Sequence, residues 1–413
     1  MAKGKLISAL DVGTSKITTL IAQLRDPDSD SLHIVGVASV PAKGIRKGQI
    51  VNIEEAIVAI TESIEAAERM AGFNIAKVWA SVGGSHITSQ NSHGVVAVSE
   101  PQGEINSQDV RRVLEAARAI SLPAASEIIH VIPRSFNVDS QEGVKDPTGM
   151  TGVRLEVTTH IVTGSSTSLK NLVKCVSEVG CDIAGLVYTG LASGLAVLTD
   201  TEQELGVILI DIGGGTTSIA MFTEGALSYS SVLPVGAKNV TNDLAIGLRI
   251  SLESAEKIKL FFSTLKTKED DIDLSSLHLP EELKTVSAKT LVEGIIRPRL
   301  NEIFQLVASE IKKSNLGGLT PAGLVITGGG ALTVGISDSA KRVLSMPVRV
   351  ASPTGISGLI DDIENPAFAA PVGLLKYSVS ESAEPLHQPG HKMPSLPNFG
   401  KLKIISFLKS LLP

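Results

Sequence analysis

Two short segments carry residues whose types and order could do chemistry: Asp11-Val12-Gly13-Thr14-Ser15-Lys16, and Asp211-Ile212-Gly213-Gly214-Gly215-Thr216-Thr217. In each, an aspartate ends an apolar run and a glycine-bearing turn follows. Glycine lets backbone N–H groups come close enough to cradle phosphate oxygens. Two carboxylates aimed at a polyphosphate would repel it unless a cation lay between. Mg²⁺ suits that place because it keeps waters that hydrogen-bond to nearby carboxylates. Asp11 and Asp211 are therefore the expected Mg²⁺ residues, acting through water. Lys16 is a compact cation for the β- or γ-phosphate, and Thr216 and Thr217 offer hydroxyls from the other side. One Asp-x-Gly turn alone is ordinary hairpin chemistry. What raises the pair above that is its repetition at an offset of 200 residues, with a third cluster, Thr327-Gly328-Gly329-Gly330, further on.

The runs Leu6–Leu10 and Val207–Ile210 lead into the aspartates, and Ile219–Phe222 resumes a strand after the second turn, so both copies predict β-hairpins. In a P-loop or a Rossmann turn the glycines open a helix instead, and neither fingerprint occurs here. The third cluster follows the apolar strand Gly323–Ile326 and precedes a helical period from Val334 to Leu344. Further helices are expected over Glu54–Met70, Ser107–Ala119, Ser168–Val179, Ser251–Phe262 and Leu291–Lys313, with Ser251 as an N-cap, which makes the chain mixed α/β. After Tyr377 the character changes. Ser378–Gly400, with Pro385, Pro389, Pro394 and Pro397, reads as an extended flexible linker. Residues 401–413 then predict an amphipathic helix with Ile404, Ile405, Phe407, Leu408, Leu411 and Leu412 on one face and Lys403, Ser406, Lys409 and Ser410 opposite. A core helix seldom follows such a linker, whereas an anchor lying in a membrane interface needs its reach, and each lysine adds about 1 kcal/mol of attraction to anionic lipid.

The chain has 413 residues, 43% of them hydrophobic and 19% charged, which fits two or three folded domains and excludes collagen-like or wholly disordered classes. A formal charge of −6 supplies no electrostatic footprint for nucleic acid. Cys175 and Cys181 cannot make a disulfide framework and read as core thiols of a reducing compartment, and the eight histidines lack zinc-ligand spacing. Asp11 interrupts the first apolar stretch, so no secretory signal is read, and no run approaches the roughly 20 apolar residues of a membrane span. A cytoplasmic protein is expected.

Taken in order, the two aspartate turns and the Thr-Gly-Gly-Gly cluster resemble the phosphate-1, phosphate-2 and adenosine motifs of the actin, Hsp70 and sugar-kinase superfamily. Within it the chain resembles the bacterial cell-division family FtsA, through Val144–Pro147, Gly152–Arg154, Gly190–Ser193, Glu204–Val207, Ala255–Lys259, Arg297–Arg299 and Asn365–Leu375. The linker and terminal amphipathic segment are also that family's pattern. The resemblance implies an actin-like two-lobed ATPase fold of duplicated ribonuclease-H-like subdomains, with an extra subdomain inserted in the first lobe. Residues 1–83 and 166–195 would form the first nucleotide-binding subdomain and 84–165 the insertion. Residues 196–230 and 303–377 would form the second nucleotide-binding subdomain, and 231–302 a small subdomain for partner docking. By resemblance the ligand is ATP with Mg²⁺. Gly13, Thr14, Ser15, Lys16, Gly213, Gly214, Gly215, Thr216 and Thr217 would surround the phosphates, which Gly236 would approach. Glu256 and Lys259 would lie near ribose and base, and Gly328, Gly329 and Gly330 against the adenosine. A Glu–Lys pair at i, i+3 is otherwise an ordinary solvated helix pair.

ATPases of this superfamily that turn over usually carry a Glu or Gln on the first connecting helix to orient water. Here the stretch is Thr189-Gly190-Leu191-Ala192-Ser193-Gly194, with neither, so no catalytic residue is assigned and activity is expected to be weak or conditional. The resemblance further implies actin-like filaments on the cytoplasmic face of the cell membrane at the division site. There they would tether the C-terminal tail of the tubulin-like FtsZ, with Arg299 on the docking surface, and help recruit other divisome proteins. A pilus-assembly scaffold of the PilM family, which is similar in core and insertion, is the nearest rival. A small-molecule kinase of the superfamily lacks its substrate-pocket signature here, and an Hsp70 chaperone would need a peptide-binding domain after Leu375.

Overall fold

The structure, a computed structural model, describes residues 5–24, 32–99, 103–265, 269–281, 283–359 and 363–383. Two sheets repeat one topology. In the first, strand Lys5–Val12 pairs antiparallel with Lys16–Leu24 and that with Leu32–Pro41, while Lys77–Val82 and then Asp182–Tyr188 add in parallel on the other side. In the second, Val207–Ile212, Thr217–Thr223 and Ala226–Leu233 are the antiparallel three, and Leu324–Thr327 and Val348–Val350 the parallel two. Helices on both faces explain why the central strands bury both alternations of side chains: all six residues of Val207–Ile212 are buried.

The hairpins match in register. Asp11 opposes Thr18 and Asp211 opposes Ser218, one pair before the last of each ladder. Each turn is closed by the same bond, Gly13 N–H donating to Lys16 O at 3.0 Å and Gly213 N–H to Thr216 O at 2.8 Å. Helix Ile53–Ala71 covers the first sheet; Asn52 caps its start, and Gly72, at φ 73°, ends it in the left-handed conformation glycine tolerates.

Within each half the chain inserts one smaller unit. A four-stranded antiparallel sheet in the order Thr88–Ala97, Arg154–Ser165, Ser126–Val138, Gln141–Val144 carries helix Ser107–Arg118 and has its own core around Ile105, Val113, Leu155 and Val157. The second unit holds helices Ala237–Leu248 and Leu252–Thr264, a small ladder of Asp271–Asp273 with Thr285–Ser287, and the start of helix Arg297–Ser314. The single helix expected over Leu291–Lys313 is broken by a wider π turn at Val292–Ile296. Pro298, with no N–H to give to the carbonyl four residues back, accounts for that.

The C-terminal part differs from the division expected for 303–377. Strand Ile356–Gly358 pairs in parallel with Leu32–Ile34 of the first sheet, and helix Ala369–Ala383 packs on helix Thr189–Val197 and on the first sheet. At the crossing a Cβ on Gly373 would lie 1.7 Å from Ala192 O, so only glycine permits the approach. The chain thus returns to the first lobe. That helix also runs six residues into the stretch expected to be linker from Ser378, and Ser378 is buried, its hydroxyl donating to Leu375 O at 2.6 Å. The remainder, 384–413, lies outside the described residues, including Lys403, Ile404, Ile405, Phe407, Leu408, Lys409, Leu411 and Leu412.

Candidate functional site

The duplicated turns meet across the two lobes. A Cβ on Gly214 would lie 1.9 Å from Ser15 Oγ, and one on Gly215 2.6 Å from Thr14 Cγ2, so backbone of the second turn presses on side chains of the first. Lys238, on the first turn of helix Ala237–Leu248, bridges the lobes by donating from Nζ to Thr14 O at 2.9 Å. Thr14 Oγ1 is itself held by Gly48 N–H at 2.9 Å.

Both aspartates sit at the base of this junction, each steadied by a serine. Ser81 donates to Asp11 at 2.6 Å and Ser193 to Asp211 at 2.5 Å. Burial pushes the Asp11 carboxyl up; the Ser81 bond and the Lys16 charge oppose it. Asp211, 7% exposed, is pushed up to about 6, first by burial and further by the charge of Asp11, against the Ser193 bond and Lys16. Lys16 is pulled down by burial and held up by both aspartates, and its ammonium stands 4.0 Å from the centre of the Phe368 ring. A buried carboxylate whose proton affinity is raised by burial and by a second, half-buried carboxylate beside it is an oxygen ligand in want of a hard cation. Among the described residues no group of three or more acidic, His or Cys side chains could hold a metal, so such an ion would draw its other ligands from water or phosphate.

The glycines of the third cluster shape the same place. Gly328, at φ +83°, passes so near the second hairpin that a Cβ would meet Asp211 Oδ1 at 2.2 Å and Ile212 N at 2.9 Å. Gly330 is pressed on Ile212, whereas a Cβ on Gly329 would find only Ala367, at 3.7 Å. Gly236 lies behind the second turn, a Cβ there falling 2.5 Å from Gly213 O, and its N–H donates to Asn239 Oδ1 at 3.2 Å. Ala237 and Lys238 N–H groups donate to Gly213 O and Gly214 O at 2.9 and 2.8 Å. Gly236 therefore supports the turn from behind instead of facing a phosphate. Thr217 is likewise corrected: fully buried, it spends its hydroxyl proton on Val235 O at 2.8 Å, leaving Thr216 as the half-buried hydroxyl of that turn.

Glu256 and Lys259 form their i, i+3 pair at 2.7 Å, but not as a solvated one, since Lys259 is 6% exposed. Thr241 joins them, donating to Glu256 at 2.5 Å and accepting from Lys259 at 2.9 Å. Both charges act on Lys238, which places this trio beside the cleft. Arg299 lies elsewhere, on a groove of about 380 Å³ lined with Ile246, Gly247, Ile295 and Pro298. Its guanidinium already binds Asp243 in bidentate fashion at 2.5 and 2.9 Å and Glu302 at 2.6 Å, so no free cation is presented there.

Sequence reasoning missed Ser81, Ser193, Lys238, Thr241 and Phe368. Ser193 closes the Gly190–Ser193 stretch, which holds no carboxylate or amide, and a small hydroxyl there gives no sign of its partner until the fold brings it to Asp211, 18 residues on. Cys175 and Cys181 are buried and free, and burial pushes both thiols up. Among the described residues no helix is long and apolar enough to cross a membrane.

Comparison with known proteins adds the following. Residues 84–163 match the family described as the SHS2 domain inserted in FTSA, and residues 208–373 match the family described as cell division protein FtsA. The chain is 39% identical over 387 residues to the cell division protein FtsA of Pseudomonas aeruginosa, covering 92% of this chain and 91% of that one. Among solved structures, a PilM-PilN type IV pilus biogenesis complex is similar with a TM-score of 0.63 at 17% identity, over 90% of this chain and 98% of that chain. MreB5 of Spiroplasma citri bound to ADP is similar with a TM-score of 0.54 at 16% identity, over 92% and 98%. These two establish an actin-like fold.

Proposed function

The chain belongs to the FtsA family of cell division proteins, and from that premise we propose that it binds Mg-ATP between its two duplicated turns and polymerises on the cytoplasmic face of the membrane at the division site. There it anchors the C-terminal tail of FtsZ and helps gather other division proteins. The observation that carries the nucleotide reading is the juxtaposition of the turns of Asp11 and Asp211, with Lys16 acted on by both carboxylates.

Mg²⁺, when bound, supplies charge neutralisation between the carboxylates and the phosphates. The chain's own residues do the remainder. Gly13, Thr14 and Ser15 on one side and Gly213, Gly214, Gly215 and Thr216 on the other bring N–H and hydroxyl donors to phosphate oxygens, and Lys16 adds a cation. Ser81 and Ser193 fix the orientation of the carboxylates. Glu256 and Lys259, tied by Thr241, offer an acceptor and a donor to ribose and base, while the open side of Gly329 leaves room for the adenosine. On the connecting helix Ser193 is committed to Asp211 and neither Glu nor Gln stands in Thr189–Gly194, which leaves Asp11 and Asp211 as the groups that would hold a water and makes turnover slow or conditional.

For attachment the terminal segment lies in the membrane interface by its Ile404, Ile405, Phe407, Leu408, Leu411 and Leu412 face, with Lys403 and Lys409 toward anionic headgroups. One such helix binds reversibly, and a filament of tethered helices gains avidity through effective concentration. The FtsZ tail is assigned to the groove beside Arg299, where Ile246, 76% exposed, and Pro298 offer apolar contact and an incoming carboxylate would compete with Asp243 or Glu302 for the guanidinium. A pilus scaffold is the second reading; the likeness to PilM-PilN is one of fold at 17% identity, against 39% for the cell-division relative. Co-sedimentation with anionic liposomes and ATP tests the anchor: the full chain pellets, one ending at Gly400 stays in solution, and equal pelleting of both would overturn it.

A further inference from the structure

Lys238 is a surface lysine with an internal partner. Its helix rises from the back of the second turn, yet its ammonium crosses to the first lobe and bonds the carbonyl of Thr14. Gly214 and Gly215 lie against Ser15 and Thr14 at the same point, so this bond closes the seam between the turns. A phosphate oxygen held from both sides needs a donor about 2.9 Å away on each. Turns in van der Waals contact cannot meet that requirement until the lobes part, and parting them breaks the Lys238 bond.

The helix that carries Lys238 would move with the second turn, because its first N–H groups are bonded to Gly213 O and Gly214 O. In a parted cleft the ammonium therefore still points across at the first turn, too far from the Thr14 carbonyl to keep that bond but within reach of an anion lying between the turns. Burial pulls the Lys238 pKa down, with Glu256 opposing and Lys259 adding to that, and an ammonium makes a stronger hydrogen bond to an anionic oxygen than to a neutral carbonyl. Lys16, on the first turn, is assigned above to the β- or γ-phosphate, so the anion that Lys238 would meet across the cleft is one of these two.

We propose that Lys238 is a latch with two partners: it holds the cleft shut on the Thr14 carbonyl, and on opening it exchanges that carbonyl for the γ-phosphate, so that the site distinguishes ATP from ADP. The inference rests on the nucleotide reading above and adds to it a residue and a selectivity. Lys16 marks where phosphate binds; Lys238 reports whether the last phosphate is present.

The test is titration calorimetry of the full chain with Mg-ATP and Mg-ADP, together with stopped-flow ATP association, for the wild type, Lys238→Met and Lys238→Arg. Lys238→Met should weaken ATP about tenfold or more and ADP by no more than about twofold, the size of one lost charged hydrogen bond. Its association rate should rise, because no latch has to break, and Lys238→Arg should keep the preference for ATP. Equal losses for both nucleotides, or unchanged ATP affinity with wild-type binding intact, would overturn the Lys238 assignment alone. A wild type that binds neither nucleotide would overturn the nucleotide reading and this inference with it.

Discussion

Asp11 and Asp211 occupy the same register position in two hairpins of the same topology, but their surroundings have diverged. The first turn carries side chains: Thr14, Ser15 and Lys16, a half-exposed aspartate and a carbonyl that Lys238 reaches. The second is nearly all backbone, three glycines under a buried aspartate, with Gly328 against its carboxylate and the first turn of a helix bonded to its carbonyls. A duplicated hairpin has thus become two unlike halves, one supplying charge and hydroxyls and the other a bare surface that can come close. The same close approach leaves Asp211 dry, and a dry carboxylate beside another is the group that gains most from a cation.

That difference can be broken by substitution. The largest effect is expected at Asp211→Ala, which should lower Mg-ATP affinity on the order of a hundredfold while the circular dichroism spectrum stays native; Asp11→Ala, on the half-exposed side, should lose less. Retained Mg-dependent affinity in Asp211→Ala would make the second hairpin merely structural.

A smaller effect concerns stability. The folded Asp211 carboxyl, at about 6 against an ordinary 3.8, holds its proton more tightly than the unfolded chain does. In the absence of Mg²⁺ and nucleotide its contribution to stability therefore declines as pH rises from about 4 through 6, and the penalty is complete above that. Asp211→Asn should relieve it, raising stability near neutral pH by about 1–3 kcal/mol in denaturant unfolding and leaving little difference near pH 4. The same proton competes with the metal, so Mg-ATP affinity of the wild type should fall as pH drops through 6.

The smallest expected change is at Phe368→Leu, which removes the ring under the Lys16 ammonium. A loss of no more than about 1 kcal/mol in stability is expected, with Mg-ATP affinity unchanged or slightly improved as Lys16 is freed to turn toward phosphate. A large loss of affinity would mean that Phe368 positions the lysine for binding and not for rest.

Much of this was legible before the fold was seen, for reasons that can be stated. The hairpins announce themselves because an apolar run, an aspartate and a glycine turn are local events, and repetition 200 residues apart multiplies a weak signal. The helix start at Ser251 follows a capping rule that also acts locally. What escaped was set by long-range contact. Ser81 reaches Asp11 from 70 residues away and Lys238 reaches Thr14 from 224, and nothing near either residue announces its partner. Thr217 and Gly236 stand within motifs, yet packing commits their polar groups to Val235 and Asn239. Arg299, expected on a docking surface, has its bidentate partner Asp243 on another helix, 56 residues away. The return of the chain to the first lobe after residue 355 depends on Gly373 fitting under Ala192, a complementarity no single segment records.

The central claim is that both hairpins grip one magnesium-bridged nucleotide, and a double-mutant cycle addresses it most directly. Mg-ATP dissociation constants would be measured for the wild type, Asp11→Ala, Asp211→Ala and the double variant. If the two carboxylates serve a single ion, the second substitution should weaken binding little beyond the first, a coupling of about 1 kcal/mol or more. Losses that simply add would mean the two turns act independently, and the account would fail.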